Sequence, residues 1–125
     1  NYGMNVIMRG CSVEECKWCG VSAYGADISC DDLQVVGCGD SGVCAGYNAT
    51  ITLSGEGTSI QGNVTTGRSA YYGLEAEESG VQSVIHLVVP LTKEEISTNN
   101  GGGGNWGPLG SIYQVQMFLG GYCRC

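Results

Sequence analysis

Eight cysteines divide this chain unevenly. Six stand in the first 44 residues (Cys11, Cys16, Cys19, Cys30, Cys38, Cys44), none in residues 45–122, and two at the end, Cys123 and Cys125. Such density in 125 residues fits an oxidising compartment better than the cytosol, where thiols are kept reduced. The expectation is a secreted, extracellular protein whose cysteines form disulfides. A bridge between Cys123 and Cys125 would be strained, so each is expected to reach back into the N-terminal block, closing long loops and linking the termini. The rest of the connectivity stays open. The chain opens on Asn1 with neither Met nor a leader, which fits a mature chain after signal-peptide removal.

Charge narrows the partners. There are 12 Asp and Glu against 5 Lys and Arg, for a net charge of -7, and the cations Arg9, Lys17, Arg68, Lys93 and Arg124 are scattered. Binding to a phosphate backbone draws on clustered cations, so no nucleic-acid partner is expected. The apolar run at residues 84–89 is interrupted by His86 and falls well short of the ~20 residues of a membrane helix. No membrane span and no cofactor are implied.

Hydrophobic alternation points to strands. In residues 48–54, Ala49, Ile51 and Leu53 alternate with polar residues. Gly55-Glu56-Gly57 follows and predicts a hairpin into residues 59–66. Residues 81–89 are apolar on both parities, as a strand covered on two sides would be, and Pro90 ends them. In residues 112–119, Tyr113, Val115, Met117 and Leu119 form the predicted buried face. Cys123 and Cys125 share its parity. Met4, Val6 and Met8 mark another short strand, and residues 33–36 a weaker one. Ser12-Val13-Glu14-Glu15 and Thr92-Lys93-Glu94-Glu95 both fit the capping box that opens a helix. No internal repeat and no linker are read.

These signals predict an all-β domain over residues 1–125, with one or two short helices. The expected form is a small antiparallel β-sandwich stapled by disulfides. Residues 1–44 are expected to pack on the C-terminal strand, and residues 45–122 to form a cysteine-free β core.

Several motifs carry alternative chemistry. Cys16-Lys17-Trp18-Cys19 has the spacing of a redox or zinc pair, but no βαβ context surrounds it and Cys123-Arg124-Cys125 is too tight for a matching zinc knuckle. Structural disulfides are the preferred reading, and no metal site is expected. Asp27, Asp31, Asp32 and Asp40 lack EF-hand spacing. Glu75, Glu77, Glu78, Glu94 and Glu95 offer glycosidase-like carboxylates but read as a solvated face. Asn48-Ala49-Thr50 and Asn63-Val64-Thr65 are N-glycosylation sequons.

Cys38-Gly39-Asp40-Ser41-Gly42 resembles the nucleophile segment of chymotrypsin-like serine proteases. Val43 stands where that family has another glycine, and the sole histidine, His86, follows the serine instead of preceding it. The order Glu56, Arg68, His86 resembles the base, phosphate-binding arginine and acid of small secreted guanine-specific fungal ribonucleases. Their upstream histidine is missing here.

Aromatic residues on loops are the stronger functional signal. Trp106 follows the run Asn99-Asn100-Gly101-Gly102-Gly103-Gly104-Asn105, whose glycines cannot hold one conformation unaided. Tyr71-Tyr72 forms a second platform. In size, cysteine density and acidity the chain is similar to small cysteine-rich secreted effectors and killer-type toxins of fungi. The reading is a non-enzymatic recognition protein that binds an extracellular protein or glycan through Trp106, Tyr71 and Tyr72. A carbohydrate-binding module or lectin is the alternative. A small hydrolase using Glu56, Arg68 and His86 is the third reading.

Overall fold

Every strand among the described residues lies parallel to its neighbours. A computed structural model describes residues 5–77, 83–108 and 110–116. The backbone winds as a β-solenoid, each coil contributing one strand to each of three sheets. The first coil is β1 (Asn5–Arg9), β2 (Ser12–Glu14) and β3 (Val21–Tyr24). The second is β4 (Asp27–Asp31), β5 (Gln34–Val36) and β6 (Val43–Gly46). The third is β7 (Thr50–Ser54), β8 (Ser59–Gln61) and β9 (Leu74–Ala76). The fourth is β10 (Val84–Val88), a single helical turn α1 (Lys93–Ile96), β11 (Ser97–Thr98) and β12 (Trp106–Pro108). A last strand, β13 (Ile112–Val115), opens a fifth coil. Sheet A has the order β1-β4-β7-β10-β13, sheet B β11-β8-β5-β2 and sheet C β12-β9-β6-β3.

This overturns the antiparallel sandwich. Alternation fixes which side chains are buried, but it is silent on strand direction. Here each strand turns a corner into the next sheet, and the following coil supplies the crossover that parallel pairing needs. Gly55-Glu56-Gly57 is therefore a corner between β7 in sheet A and β8 in sheet B, with no hairpin. The chain does repeat. Asn5 pairs with Asp27, Ser12 with Gln34 and Val21 with Val43, so the first two coils share a 22-residue period.

Register builds the core as stacked ladders. In sheet A, Ile28, Ile51, Ile85 and Ile112 stack inward. In sheet B the column is Val13, Val35 and Ile60, ending at Ser97. In sheet C it is Val21, Val43, Leu74 and then Trp106. Each fully buried aliphatic contributes about 1.5–3 kcal/mol.

The expected disulfide staples are also corrected. The six described cysteines, Cys11, Cys16, Cys19, Cys30, Cys38 and Cys44, are free thiols. Cys30 and Cys38 belong to the hydrophobic core, where a thiol packs as a small apolar group. Cys123 and Cys125 lie outside the described residues. In sheet A, β13 is at the opposite edge from β1, about 19 Å away at the usual strand spacing. Strand β13 pairs with β10.

Two local expectations divide. Thr92 caps α1, its side chain accepting from the Glu95 amide at 3.2 Å and its hydroxyl donating to Glu95 Oε1 at 3.0 Å. The similar segment Ser12–Glu14 is strand β2 instead, because pairing with β5 claims its backbone. On β13 the buried residue is Ile112, and Tyr113 points outward, the reverse of the expected parity. Among the described residues no helix is long and apolar enough to cross a membrane.

Candidate functional site

The corners between sheets B and C stack on one another like the sheets. Gly20 donates to the Ser41 carbonyl at 3.0 Å, Val64 to that of Asp40 at 3.0 Å, and Gly101 to that of Asn63 at 2.9 Å. These corners carry Trp18 in the first coil, Tyr71 and Tyr72 in the third, and residues 99–105 in the fourth. The glycine-rich run is held there by its neighbours. Gly103 donates to the Tyr71 carbonyl at 2.9 Å, and Asn105 Oδ1 accepts from the Asn100 amide at 3.0 Å. A Cβ on Gly103 would sit 2.5 Å from the Tyr72 ring, so the absence of a side chain lets this corner seat against Tyr72.

At the opposite corner, between sheets C and A, Tyr24 and Tyr47 bring their rings to 5.7 Å. They are 50% and 57% exposed. Aromatic residues thus border both sides of the outward face of sheet C.

The floor of that face is polar. Strand alternation turns Ser22, Cys44 and Glu75 outward in one register column, yet Cys44 is only 1% exposed and Glu75 6%. Ser41 donates its hydroxyl to Glu75 and accepts from the Tyr72 amide at 3.1 Å. Cys44 Sγ is 3.4 Å from Glu77 Oε2. Tyr24 donates its phenolic proton to Glu77 and lies 3.7 Å from Cys44 Sγ. Gly46 permits this meeting, since a Cβ there would be 2.8 Å from Glu77 Oε1 and 2.9 Å from the Tyr24 ring. Cys19, on the corner of the first coil, neighbours Cys44.

The groups of the floor shift one another's proton affinities in both directions. Contact with the Cys44 thiol lowers Cys19 to about 7. Cys44 is pushed far up by its contact with Cys19, by burial and by the charge of Glu75. Burial raises Glu75, with the Ser41 hydroxyl pulling the other way. Tyr24 is raised by desolvation and by its bond to Glu77.

The residues singled out from the sequence land in different places. Tyr71 and Tyr72 are half-buried on the rim. Trp106 stacks in register on Leu74, packs against the core, and has the Lys93 ammonium 5.4 Å from its ring centre. Glu56 is exposed on a corner after β7 and Arg68 on the loop between β8 and β9. His86 faces outward on sheet A with Nε2 3.3 Å from the Tyr113 hydroxyl. The fold does not gather these three. Ser41 is engaged with Glu75, on a different sheet from His86. Asn48 is exposed. Asn63 is 2% exposed, with Oδ1 accepting from the Cys38 amide at 2.9 Å and Nδ2 donating to the Val35 carbonyl at 3.2 Å and Asn100 Oδ1 at 3.1 Å. A glycan on its Nδ2 would displace these bonds.

Sequence reasoning passed over Cys19, Cys44, Glu75 and Glu77 as a group, reading the thiols as disulfide partners and the carboxylates as a solvated face. The signal that joins them is the coil period, which brings Ser22 level with Cys44 and Cys44 level with Glu75. Comparison of the chain with protein-family models, curated proteins and solved structures returns no match.

Proposed function

We propose that the protein acts by binding, as a secreted recognition protein of the effector or toxin type. Its contact surface in this reading is the outward face of sheet C with its aromatic rim. The observation that carries the reading is the Tyr24–Tyr47 pair, two half-exposed rings side by side at the edge of a buried polar floor. Exposed aromatics joined to polar handles are the usual anchors of protein and glycan contacts. Tyr71 and Tyr72 border the same face from the other corner. Trp106 contributes beneath it, by supporting the corner from inside the solenoid.

The partner is an extracellular protein or a glycan. Pull-down from cell-surface extract with the wild-type chain and with Tyr47→Ala and Trp18→Ala tests the reading, alongside a glycan array. Capture of a specific protein that is lost in Tyr47→Ala, with unchanged circular dichroism, supports protein recognition. Array binding lost in the same variant moves the assignment to a lectin. Target binding unchanged in both variants removes the rim from the account.

A further inference from the structure

We propose that Cys44, Glu75 and Glu77 form a binding site for a thiophilic divalent cation of the Zn²⁺ class. The inference deepens the recognition reading at the floor of the same face, and it can fail while that reading stands.

The geometry carries it. Cys44 Sγ and one carboxylate oxygen each of Glu75 and Glu77 all lie within 4.8 Å of one another. A tetrahedral zinc ion bound at ~2.3 Å by sulfur and ~2.0 Å by oxygen separates those donors by about 3.5 Å. The Cys44 Sγ to Glu77 Oε2 distance is 3.4 Å. One thiolate and two carboxylates make a donor set suited to zinc over calcium or magnesium, which take oxygen ligands alone.

Burial supports the same conclusion. Glu75 and Cys44 are almost wholly excluded from water, and the groups set around them are further acids or hydroxyls: Asp40, Ser41, Tyr24 and Glu77. Crowding so many anionic groups is costly unless protons or a cation neutralise them. In the metal-free chain shared protons in these hydrogen bonds would do so, and a divalent ion would displace them on binding. Ser41 and Tyr24 would then orient Glu75 and Glu77 as outer partners. The ligands come from two successive coils: Cys44 from the second, and the two glutamates from the third. One ion would therefore tie two coils together. Three protein ligands leave the fourth tetrahedral position to water.

The test is titration of the reduced, metal-free chain with Zn²⁺ and with Co²⁺ as a spectroscopic probe. One equivalent should bind, and the Co²⁺ form should show thiolate-to-metal charge transfer and the intense visible bands of tetrahedral coordination. Cys44→Ser and Glu77→Gln should each lower affinity at least tenfold, while Cys11→Ser should leave it unchanged. Glu77 is partly exposed, so Glu77→Gln keeps the test open if Cys44→Ser does not fold. Tyr47→Ala should retain the cobalt spectrum even where it loses target binding. A cobalt spectrum without charge transfer, or affinity unchanged by Cys44→Ser and Glu77→Gln, overturns the site. So does finding Cys19 and Cys44 bonded to each other in the native protein. Retained target binding in a chain that holds no metal would leave the recognition reading intact.

Discussion

Tyr24 reaches across Gly46 to donate its phenolic proton to the carboxylate of Glu77, joining the first and third coils over a gap in the second. The gap is the missing side chain. Gly46→Ala places a methyl group where the carboxylate and the ring now meet, and overpacking of this kind costs about 1–3 kcal/mol. The contact itself is measured by a double-mutant cycle of Tyr24→Phe and Glu77→Gln in urea unfolding, with an expected coupling of about 1 kcal/mol. Additive single effects would show that the two residues do not act together.

Asn63 is a structural asparagine inside a glycosylation sequon. Asn63→Ala leaves the buried Cys38 amide without its acceptor and removes both amide donations, so a loss of about 3 kcal/mol is expected. Thr65→Ala destroys the same sequon at an exposed position and should change stability by less than about 0.5 kcal/mol. Denaturant midpoints of both variants in unglycosylated protein separate packing from glycan effects. Equal, small losses would contradict the role assigned to Asn63.

Trp106 and Trp18 are expected to differ. Trp106 covers the inward column of sheet C above Leu74, so Trp106→Ala should lower stability by about 2–3 kcal/mol, below the range for a fully buried aromatic. Trp18 is exposed, with Lys17 5.3 Å from its ring centre, and Trp18→Ala should fall within about 0.5 kcal/mol of wild type. Thermal unfolding of the two variants is the check. A stable Trp106→Ala chain that has lost target binding would instead make this tryptophan a contact residue.

The Cys30 thiol links stability to alkaline pH. Burial, and next the neighbouring Cys11, raise it from 9.0 to about 11. Below the unfolded value both states keep the proton, and the thiol's contribution is fully present. As pH rises from 9 toward 11 the unfolded chain ionises first, so stability falls across that window and levels off above it. Unfolding free energy measured at stepped pH under reducing conditions should show this decline, and Cys30→Ala should flatten it. An unchanged slope in Cys30→Ala would assign the decline to other groups.

Much of the strand content was legible in the sequence, and the direction of pairing was not. The alternation of Ala49, Ile51 and Leu53 is that of an inward face, and all three are buried. Pro90 does stand just beyond β10. Yet a period of two is shared by hairpins and solenoids alike. Direction is set by the corners, and here a corner such as residues 55–58 redirects the chain without reversing it. The repeat was hidden because only the first two coils keep its length. Asp27 pairs with Thr50 after 23 residues, and Thr50 with Val84 after 34. Cys16 and Cys38, Gly20 and Gly42, Val21 and Val43, and Ala23 and Ala45 share the period, and aligning the chain with itself would have exposed it.

The grouping of Cys44 with Glu75 was hidden for a related reason. Without the coil register, Cys44 and Glu75 are 31 residues apart with nothing to join them, and in sheet C they are direct partners. The aromatic signal was clearer, since Tyr71 and Tyr72 do border the same face. Parity misplaced Tyr113 because Ile112, one residue earlier, continues the isoleucine ladder of sheet A.

The parallel solenoid underlies both the proposed binding face and the proposed cation site, and nuclear Overhauser contacts test it most directly. The account predicts methyl contacts along the series Ile28, Ile51, Ile85 and Ile112, with the inter-strand amide contacts of parallel pairing. Close Hα–Hα contacts across the Gly55-Glu56-Gly57 corner, between residues 50–54 and 59–63, would mark an antiparallel hairpin and contradict it.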